Sequence, residues 1–202
     1  MYTIKRTDAK ELRINSKEWM DANIAKIDTL NWKDWSYCPD TEFKVMVNDK
    51  GLYVHFETDE EELIYDCKNL NEDVYKDSCV EFFFKPDPEN ENYFNFEVNA
   101  IGTPIIGLGA SRKRIRLDIK DISIFNFEYE IKEKGFILNF FIPFSFLLQY
   151  VDKIGDYFLG NFQKCKEKGN NPHFVTYYPI KTENPDFHRP EYFDKILIEL
   201  DK

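Results

Sequence analysis

The sequence predicts an all-β fold, an antiparallel β-sandwich of jelly-roll type with short helical turns. Three observations favour it: segments in which apolar and polar residues alternate, turn residues between those segments, and a 17% share of aromatic residues. Alternation with a period of two places the apolar side chains on one face of a strand, and aromatic residues favour strands. About nine or ten such segments, with almost no helical periodicity, are typical of a sandwich or jelly roll.

The 202 residues contain no linker, so we expect a single domain over residues 1–202. Residues 1–40 are predicted as an irregular lead-in packed on the sandwich, with one short helix near 16–25. The segments 42–47 and 51–58 alternate and flank the turn residues Asn48-Asp49-Lys50-Gly51, which predicts a hairpin.

A second hairpin is predicted from residues 79–85 and 93–100, which flank a polar loop. Further strands are predicted at 112–119, 127–133, 135–143, 157–164, 173–178 and 195–200, and a single helical turn at 145–150. Lys134-Gly135 is the turn between two of these strands.

The net charge of −10 excludes broad classes of ligand. Nucleic acid needs a basic face, and an anionic membrane surface attracts basic segments, so we expect neither partner. The one basic run, 112–116, is interpreted as a solvated or ion-paired face. The N-terminal sequence has no apolar run of the kind found in signal peptides, and no stretch of about 18 apolar residues occurs, so we expect a cytoplasmic protein.

The spacing of cysteines and histidines gives no metal motif. Four cysteines lack a C-x-x-C pair and are interpreted as free thiols, and the three histidines match no zinc pattern. We therefore predict no metal site among them. The sequence also lacks nucleotide-binding glycine motifs and the nucleophile elbow G-x-S-x-G.

The second predicted hairpin carries a polar face. Alternation places Glu81 outward on its first strand, and Asn95, Glu97 and Asn99 outward on its second. If the strands pair as the short loop suggests, Glu81 lies near Glu97. Neighbouring like charges on a sheet are unfavourable, so an arginine, a cation or a ligand should compensate them, unless both glutamates are simply solvated. Carboxylates and amides together suit sugar hydroxyls.

Aromatic rings accumulate late in the chain, in residues 160–193, where four prolines limit any strand to short pieces. We interpret this segment as a rigid loop that displays rings and polar tips. Tyr75, just before the second hairpin, is a candidate stacking surface for a ligand, or else it packs over the rim of the core.

Two stretches, DVYKDSCVEFFFKPD…YFNFEVNAIGT and GNFQKC…PHFVTYYPIKTENPDFHRPEYF, carry a family resemblance. Together they resemble the family 9-like carbohydrate-binding modules over roughly residues 43–200. The resemblance implies a β-sandwich that binds a mono- or oligosaccharide between two aromatic rings, without catalysis. It places one ring on Tyr75 and the other on Phe187.

The same resemblance places the strand glutamate on Glu81 and further ligand-facing positions on Glu97 and Asn99. This chain departs from the family, whose sugar-binding members have tryptophan for both rings and arginine where this chain has Glu97. We expect His188 or Arg189 to restore a donor. No cofactor is implied, although some members hold structural calcium, for which the acidic stretches 57–62 and 87–91 are candidates.

Two alternative functions stay open from the sequence. One is a glycoside-active enzyme that uses Glu81 and Glu97 as its pair of carboxyl groups. The other is an interaction scaffold whose aromatic face binds protein. The sequence leaves the oligomeric state open.

Overall fold

The structure is a computed structural model that describes residues 1–199. It contains thirteen strands in this part of the chain, most of them antiparallel to their neighbours. In chain order they are β1 (Tyr2–Arg6), β2 (Ala25–Lys26), β3 (Asp40–Asn48), β4 (Gly51–Asp59), β5 (Cys79–Lys85), β6 (Tyr93–Asn99), β7 (Pro104–Gly109), β8 (Ile115–Arg116), β9 (Glu128–Ile131), β10 (Phe136–Pro143), β11 (Tyr157–Lys166), β12 (His173–Thr176) and β13 (Asp194–Ile198).

Helical structure is confined to short turns. One α-helical turn, α1, spans Phe144–Leu147, and 3₁₀ turns span Lys17–Met20, Val74–Lys76, Ile122–Phe125 and Pro190–Tyr192. No helix within residues 1–199 has the length and apolar character that crossing a membrane would need.

The strands form one continuous, curled sheet in the order β8-β7-β6-β5-β11-β13-β1-β3-β4-β10-β9. Its first six strands form one layer of the sandwich, here called the site sheet. The strands β3, β4, β10 and β9 form the other layer, the back sheet. The predicted β-sandwich with short helical turns is therefore confirmed.

Strand β1 joins the two layers, since it pairs in parallel with β13 on one side and with β3 on the other. The structure differs here from the predicted irregular lead-in, because Tyr2–Arg6 is a strand inside the sheet. In this strand Tyr2 and Ile4 are buried and their neighbours are half-buried. A sequence pattern of only five residues does not distinguish such a strand from a loop. The short helix near 16–25 is a 3₁₀ turn at Lys17–Met20.

The core lies between the layers and is filled mainly by phenylalanine. The ring of Phe162 from the site sheet stacks on Phe82 at 4.3 Å and on Phe43 of the back sheet at 3.7 Å between centroids. Phe96 of the site sheet and Phe140 of the back sheet are similarly parallel at 6.1 Å. The high aromatic content thus largely serves to fill the sandwich.

The predicted hairpins are present. Strands β3 and β4 pair from Asp40↔Asp59 to Asn48↔Gly51, and Gly135 takes a φ of +82° in the turn before β10. The predicted strand at 112–119 is shorter than expected, since only Ile115–Arg116 pair with β7. Leu200, the last residue of the predicted strand 195–200, lies outside the described residues.

A buried ionic cluster connects β11 to the end of β4. Lys164 Nζ contacts Glu60 Oε2 at 2.8 Å, and Lys166 Nζ contacts Glu60 Oε1 at 3.3 Å, with all three side chains at most 1% exposed. Ser78 Oγ donates to Glu60 at 3.1 Å, and Glu62 pairs with Lys166. Ammonium groups thus already neutralise carboxylates of the stretch 57–62. This placement does not favour the calcium site considered there.

His173 belongs to the same cluster and is fully buried. Its Nε2 lies 3.0 Å from Lys164 Nζ and its Nδ1 lies 2.8 Å from the carbonyl of Asn171, so the ring accepts from lysine and donates to the carbonyl as a neutral imidazole. Burial, together with the charge of Lys164, lowers the pKa of His173 to about 2.

This low pKa predicts acid sensitivity. Because the unfolded histidine titrates near 6.5, the folded state binds fewer protons below that pH, and the free energy of unfolding falls as pH drops. His173 should contribute a loss of about 2 kcal/mol between pH 7 and pH 5. Urea unfolding of the wild type and His173→Gln at both pH values measures it. An equal pH dependence in the two proteins would contradict the assignment.

Candidate functional site

The candidate site lies on the outer face of the site sheet, opposite the core. Along β5, Val80, Phe82 and Phe84 enter the core, while Cys79, Glu81 and Phe83 face outward. A cavity of about 380 Å³ opens on this outer face. Its lining consists of Tyr75, Lys76, Glu81, Glu97, Arg112, Arg114, Arg116, Cys165, Glu167, Phe174, Pro185, Asp186, Phe187 and His188.

Two glutamates and an arginine form the floor. Glu81 and Glu97 occupy directly paired positions on β5 and β6, as the hairpin predicted. Arg114, from the segment before β8, donates from Nη2 to Glu97 Oε1 at 2.5 Å. The Asn95 amide donates to the same oxygen at 2.7 Å. The charge that the sequence required beside these glutamates is therefore an arginine.

Burial sets the protonation of the pair. It raises the pKa of Glu81 well above its ordinary value, and the nearby Cys165 and the Glu97 charge act in the same direction. Burial also raises the pKa of Glu97, but Arg114 opposes that rise. Glu81 Oε1 accepts from the Cys165 thiol at 3.2 Å, while its Oε2 has no hydrogen-bond partner within residues 1–199. This oxygen is available to a ligand hydroxyl.

Two rings border the cavity at the predicted positions. Tyr75 lies in the 3₁₀ turn before β5 and is half-buried. Phe187 is 7% exposed, because it packs on Trp32 at 6.0 Å and on Phe174 at 5.9 Å between centroids. Tyr75 is thus the more accessible platform, and Phe187 is the more rigid one.

The aromatic segment 160–193 differs from the predicted loop that displays its rings. Every ring in it is buried or half-buried, and several pack against the outer face of the site sheet or the core. Prolines keep the backbone of residues 179–190 out of regular strands. The aromatic side chains of this segment point inward instead of toward solvent. The segment therefore forms a wall of the cavity with buried and half-buried rings.

His188 lines the cavity beside Phe187. Its ring stacks on Phe83 at 4.8 Å, and its Nδ1 lies 2.8 Å from the Tyr93 hydroxyl. Burial and the charges of the nearby arginines lower its pKa to about 2. Neutral His188 thus offers one ring nitrogen to a ligand in the cavity, while the other engages Tyr93.

Asn99 and Arg189 lie outside the cavity. The Asn99 amide donates to the Cys67 carbonyl at 3.0 Å and to Asp77 at 3.1 Å, and its oxygen accepts from Thr103 N at 2.9 Å. Its hydrogen bonds secure a turn, which leaves little capacity for a ligand. The Arg189 guanidinium pairs with Glu191 at 2.8 Å. The structure brings the other five predicted positions together: Tyr75, Glu81, Glu97, Phe187 and His188.

Sequence reasoning missed the three arginines of the cavity. Arg112, Arg114 and Arg116 alternate in sequence, and all three reach the cavity. The ion-paired interpretation of this run is confirmed by Arg114 with Glu97 and by Arg116 with Asp73 at 2.8 Å. The alternation was the available signal, but it does not reveal which carboxylates the run faces.

A polar, ring-bordered cavity on one sheet face of a β-sandwich suits a carbohydrate-binding module. The model of carbohydrate-binding family 9 matches residues 15–198, and the chain therefore belongs to that family. Carbohydrate binding is the function of this family. A comparison with curated protein sequences gives no match.

Solved structures agree with the family assignment. The chain is similar to a "putative carbohydrate-binding protein" from Bacteroides uniformis ATCC 8492, with 25% identity, a TM-score of 0.86 and coverage of 98% of both chains. A family 9 module from Caldicellulosiruptor kristjanssonii in complex with glucose shows 15% identity, a TM-score of 0.69 and coverage of 99% and 96%. A family 9 module from the same organism in complex with cellotriose shows 15% identity, a TM-score of 0.72 and coverage of 100% and 94%.

Proposed function

We propose that this protein binds a mono- or oligosaccharide, without catalysis, in the cavity on the outer face of the site sheet. The observation that carries the proposal is the juxtaposition of the Glu81–Glu97–Arg114 group with the rings of Tyr75 and Phe187 around one cavity. The relatives described above hold glucose and cellotriose, which supports a neutral sugar as the ligand.

The polar groups of the floor match sugar hydroxyls in both roles. The unpartnered Oε2 of Glu81 accepts, or donates when the carboxyl is protonated, and the Arg114 Nε–H, also without a partner within residues 1–199, donates. Sugar C–H groups pack on the faces of aromatic rings, and Tyr75 provides the accessible face. Arg114 also brings a guanidinium to Glu97, the position for which the family resemblance implies an arginine.

Truncating the accessible ring should weaken binding without disturbing the fold. For Tyr75→Ala we expect the affinity for cellotriose to fall about 2- to 13-fold, since such a ring contact is worth about 0.5–1.5 kcal/mol. Isothermal titration calorimetry with glucose and cellotriose measures the change. Tyr129→Ala is the matched control, because Tyr129 is an exposed tyrosine on β9 of the back sheet.

The same titrations separate binding from turnover. Cellotriose recovered intact after incubation fits a binding module, whereas released glucose would favour the enzymatic alternative with Glu81 and Glu97 as the reacting carboxyls. Equal affinities for wild type and Tyr75→Ala would place the sugar elsewhere. No heat with any neutral sugar at millimolar concentration would overturn the proposal.

A further inference from the structure

Two buried cysteines and one glutamate meet beneath the cavity. Cys79 of β5 and Cys165 of β11 occupy directly paired positions, and Glu81 lies two residues along β5 on the same face. Cys165 Sγ is 3.2 Å and Cys79 Sγ is 4.0 Å from Glu81 Oε1, and the three atoms all lie within 4.8 Å of one another. We propose that Cys79, Glu81 and Cys165 form a binding site for a zinc-class divalent cation.

The separations fit tetrahedral coordination. With Zn–S near 2.3 Å and Zn–O near 2.0 Å, the edges of a tetrahedron are about 3.5 Å between sulfur and oxygen and about 3.8 Å between sulfurs. The two sulfur–oxygen distances, 3.2 and 4.0 Å, bracket the first value. The two sulfurs lie within 4.8 Å of each other, so they need to approach by at most about 1 Å to reach the tetrahedral edge.

The surroundings suit a cation with thiolate ligands. Two thiolates and a carboxylate carry three negative charges, of which a divalent ion neutralises two. The nearest positive charges are that of Lys164, which acts on both thiols, and that of Arg114, which acts on Glu81. Soft thiolate ligands select zinc over calcium or magnesium.

The proposed ion would keep one open position. Cys165 and Glu81 line the cavity while Cys79 is covered, so the fourth position faces the cavity. Three protein ligands with an open fourth position is the arrangement of zinc sites that bind an exogenous ligand. Glu81 would use Oε1 for the ion and leave its unpartnered Oε2 for a hydroxyl.

Cobalt spectroscopy tests the site in the absence of any sugar. The full chain is reduced, stripped with a chelator and titrated with Co²⁺, after refolding from urea in the presence of the ion so that burial does not limit entry. We expect one ion per chain, a thiolate-to-cobalt charge-transfer band, the strong visible bands of tetrahedral cobalt, and displacement by Zn²⁺. Cys79→Ser and Cys165→Ser should lose the charge-transfer band or reduce it strongly. Cys38→Ser, which removes an exposed thiol, should keep it.

A measurement on the wild type tests the site even if the cysteine variants do not fold. Zinc that binds only the folded chain should raise the thermal midpoint in a dose-dependent way, and excess chelator should reverse the shift. No charge-transfer band in the reduced wild type would overturn the proposal. A band that persists in the Cys79→Ser/Cys165→Ser double variant would also overturn it.

Discussion

Replacing Arg114 by methionine is expected to destabilise the protein by about 3 kcal/mol at pH 7, because it leaves Glu97 buried without its ion partner. The pair is 2.5 Å long, and the two side chains are only 11% and 2% exposed. Methionine retains much of the aliphatic length, so the loss reports mainly on the charge. Urea denaturation measures the free energy of unfolding, and calorimetry on the folded fraction should show loss of cellotriose binding.

The pH dependence distinguishes this cause from a packing defect. Without Arg114, the pKa of folded Glu97 rises further above its unfolded value, so the folded variant binds more protons than the unfolded chain. Its free energy of unfolding therefore increases as pH falls, and the deficit relative to wild type should shrink between pH 7 and pH 5. A deficit that is constant with pH would contradict the electrostatic explanation.

Arg116→Met is the matched control on the same run. Arg116 pairs with Asp73 at 2.8 Å, but both side chains are more than one third exposed. Such a pair contributes about 0–1 kcal/mol. A similar loss of unfolding free energy in Arg114→Met and Arg116→Met would mean that burial does not strengthen the Arg114–Glu97 pair.

Replacing Glu60 by glutamine should cost about 3–5 kcal/mol of stability, the second large effect expected here. The substitution preserves the shape of the side chain but removes the only carboxylate that contacts both Lys164 and Lys166 within residues 1–199. Lys164, fully buried, would then lack an anionic partner within those residues. Urea denaturation at pH 7 gives the change directly.

Glu89→Gln provides the comparison for Glu60. Glu89 contacts Lys153 at 2.6 Å, a shorter distance than any in the buried cluster, yet its side chain is 81% exposed. We expect little change in the free energy of unfolding, because the pair is solvated. If Glu60→Gln were equally mild, the buried lysines would have to be stabilised by their hydrogen bonds to carbonyls and to His173.

The sequence predicted the pairing of the two strands that carry the candidate site. Alternation in two strands and a short loop between them place Glu81 opposite Glu97, and the structure has that register. The resemblance to family 9 modules placed Tyr75 and Phe187, and both border the cavity. Period-two patterning succeeds in such cases because it depends only on neighbours along the strand.

Strand patterning did not predict the contacts of Arg114, Cys165 and Lys164. Arg114 reaches Glu97 from 17 residues away in sequence, and Cys165 reaches Glu81 from 84 residues away. The pattern around Arg114 indicates a strand edge, and the pattern around Cys165 and Lys164 indicates a strand. Neither pattern identifies the residues that these side chains contact. Asn99 shows the converse, since its alternation was read correctly but its amide is engaged by Asp77 and the Cys67 carbonyl.

By itself the sequence determined the all-β class, the hairpins, the outward face of β5 and β6 and the family. Only the tertiary structure decided that β1 joins the two layers, that the late aromatic segment folds inward, and that arginine and two thiols surround the paired glutamates. The physical reason is that strand patterning is a local property of the chain. The pKa and partners of a buried group depend on which distant segments the curled sheet brings against it.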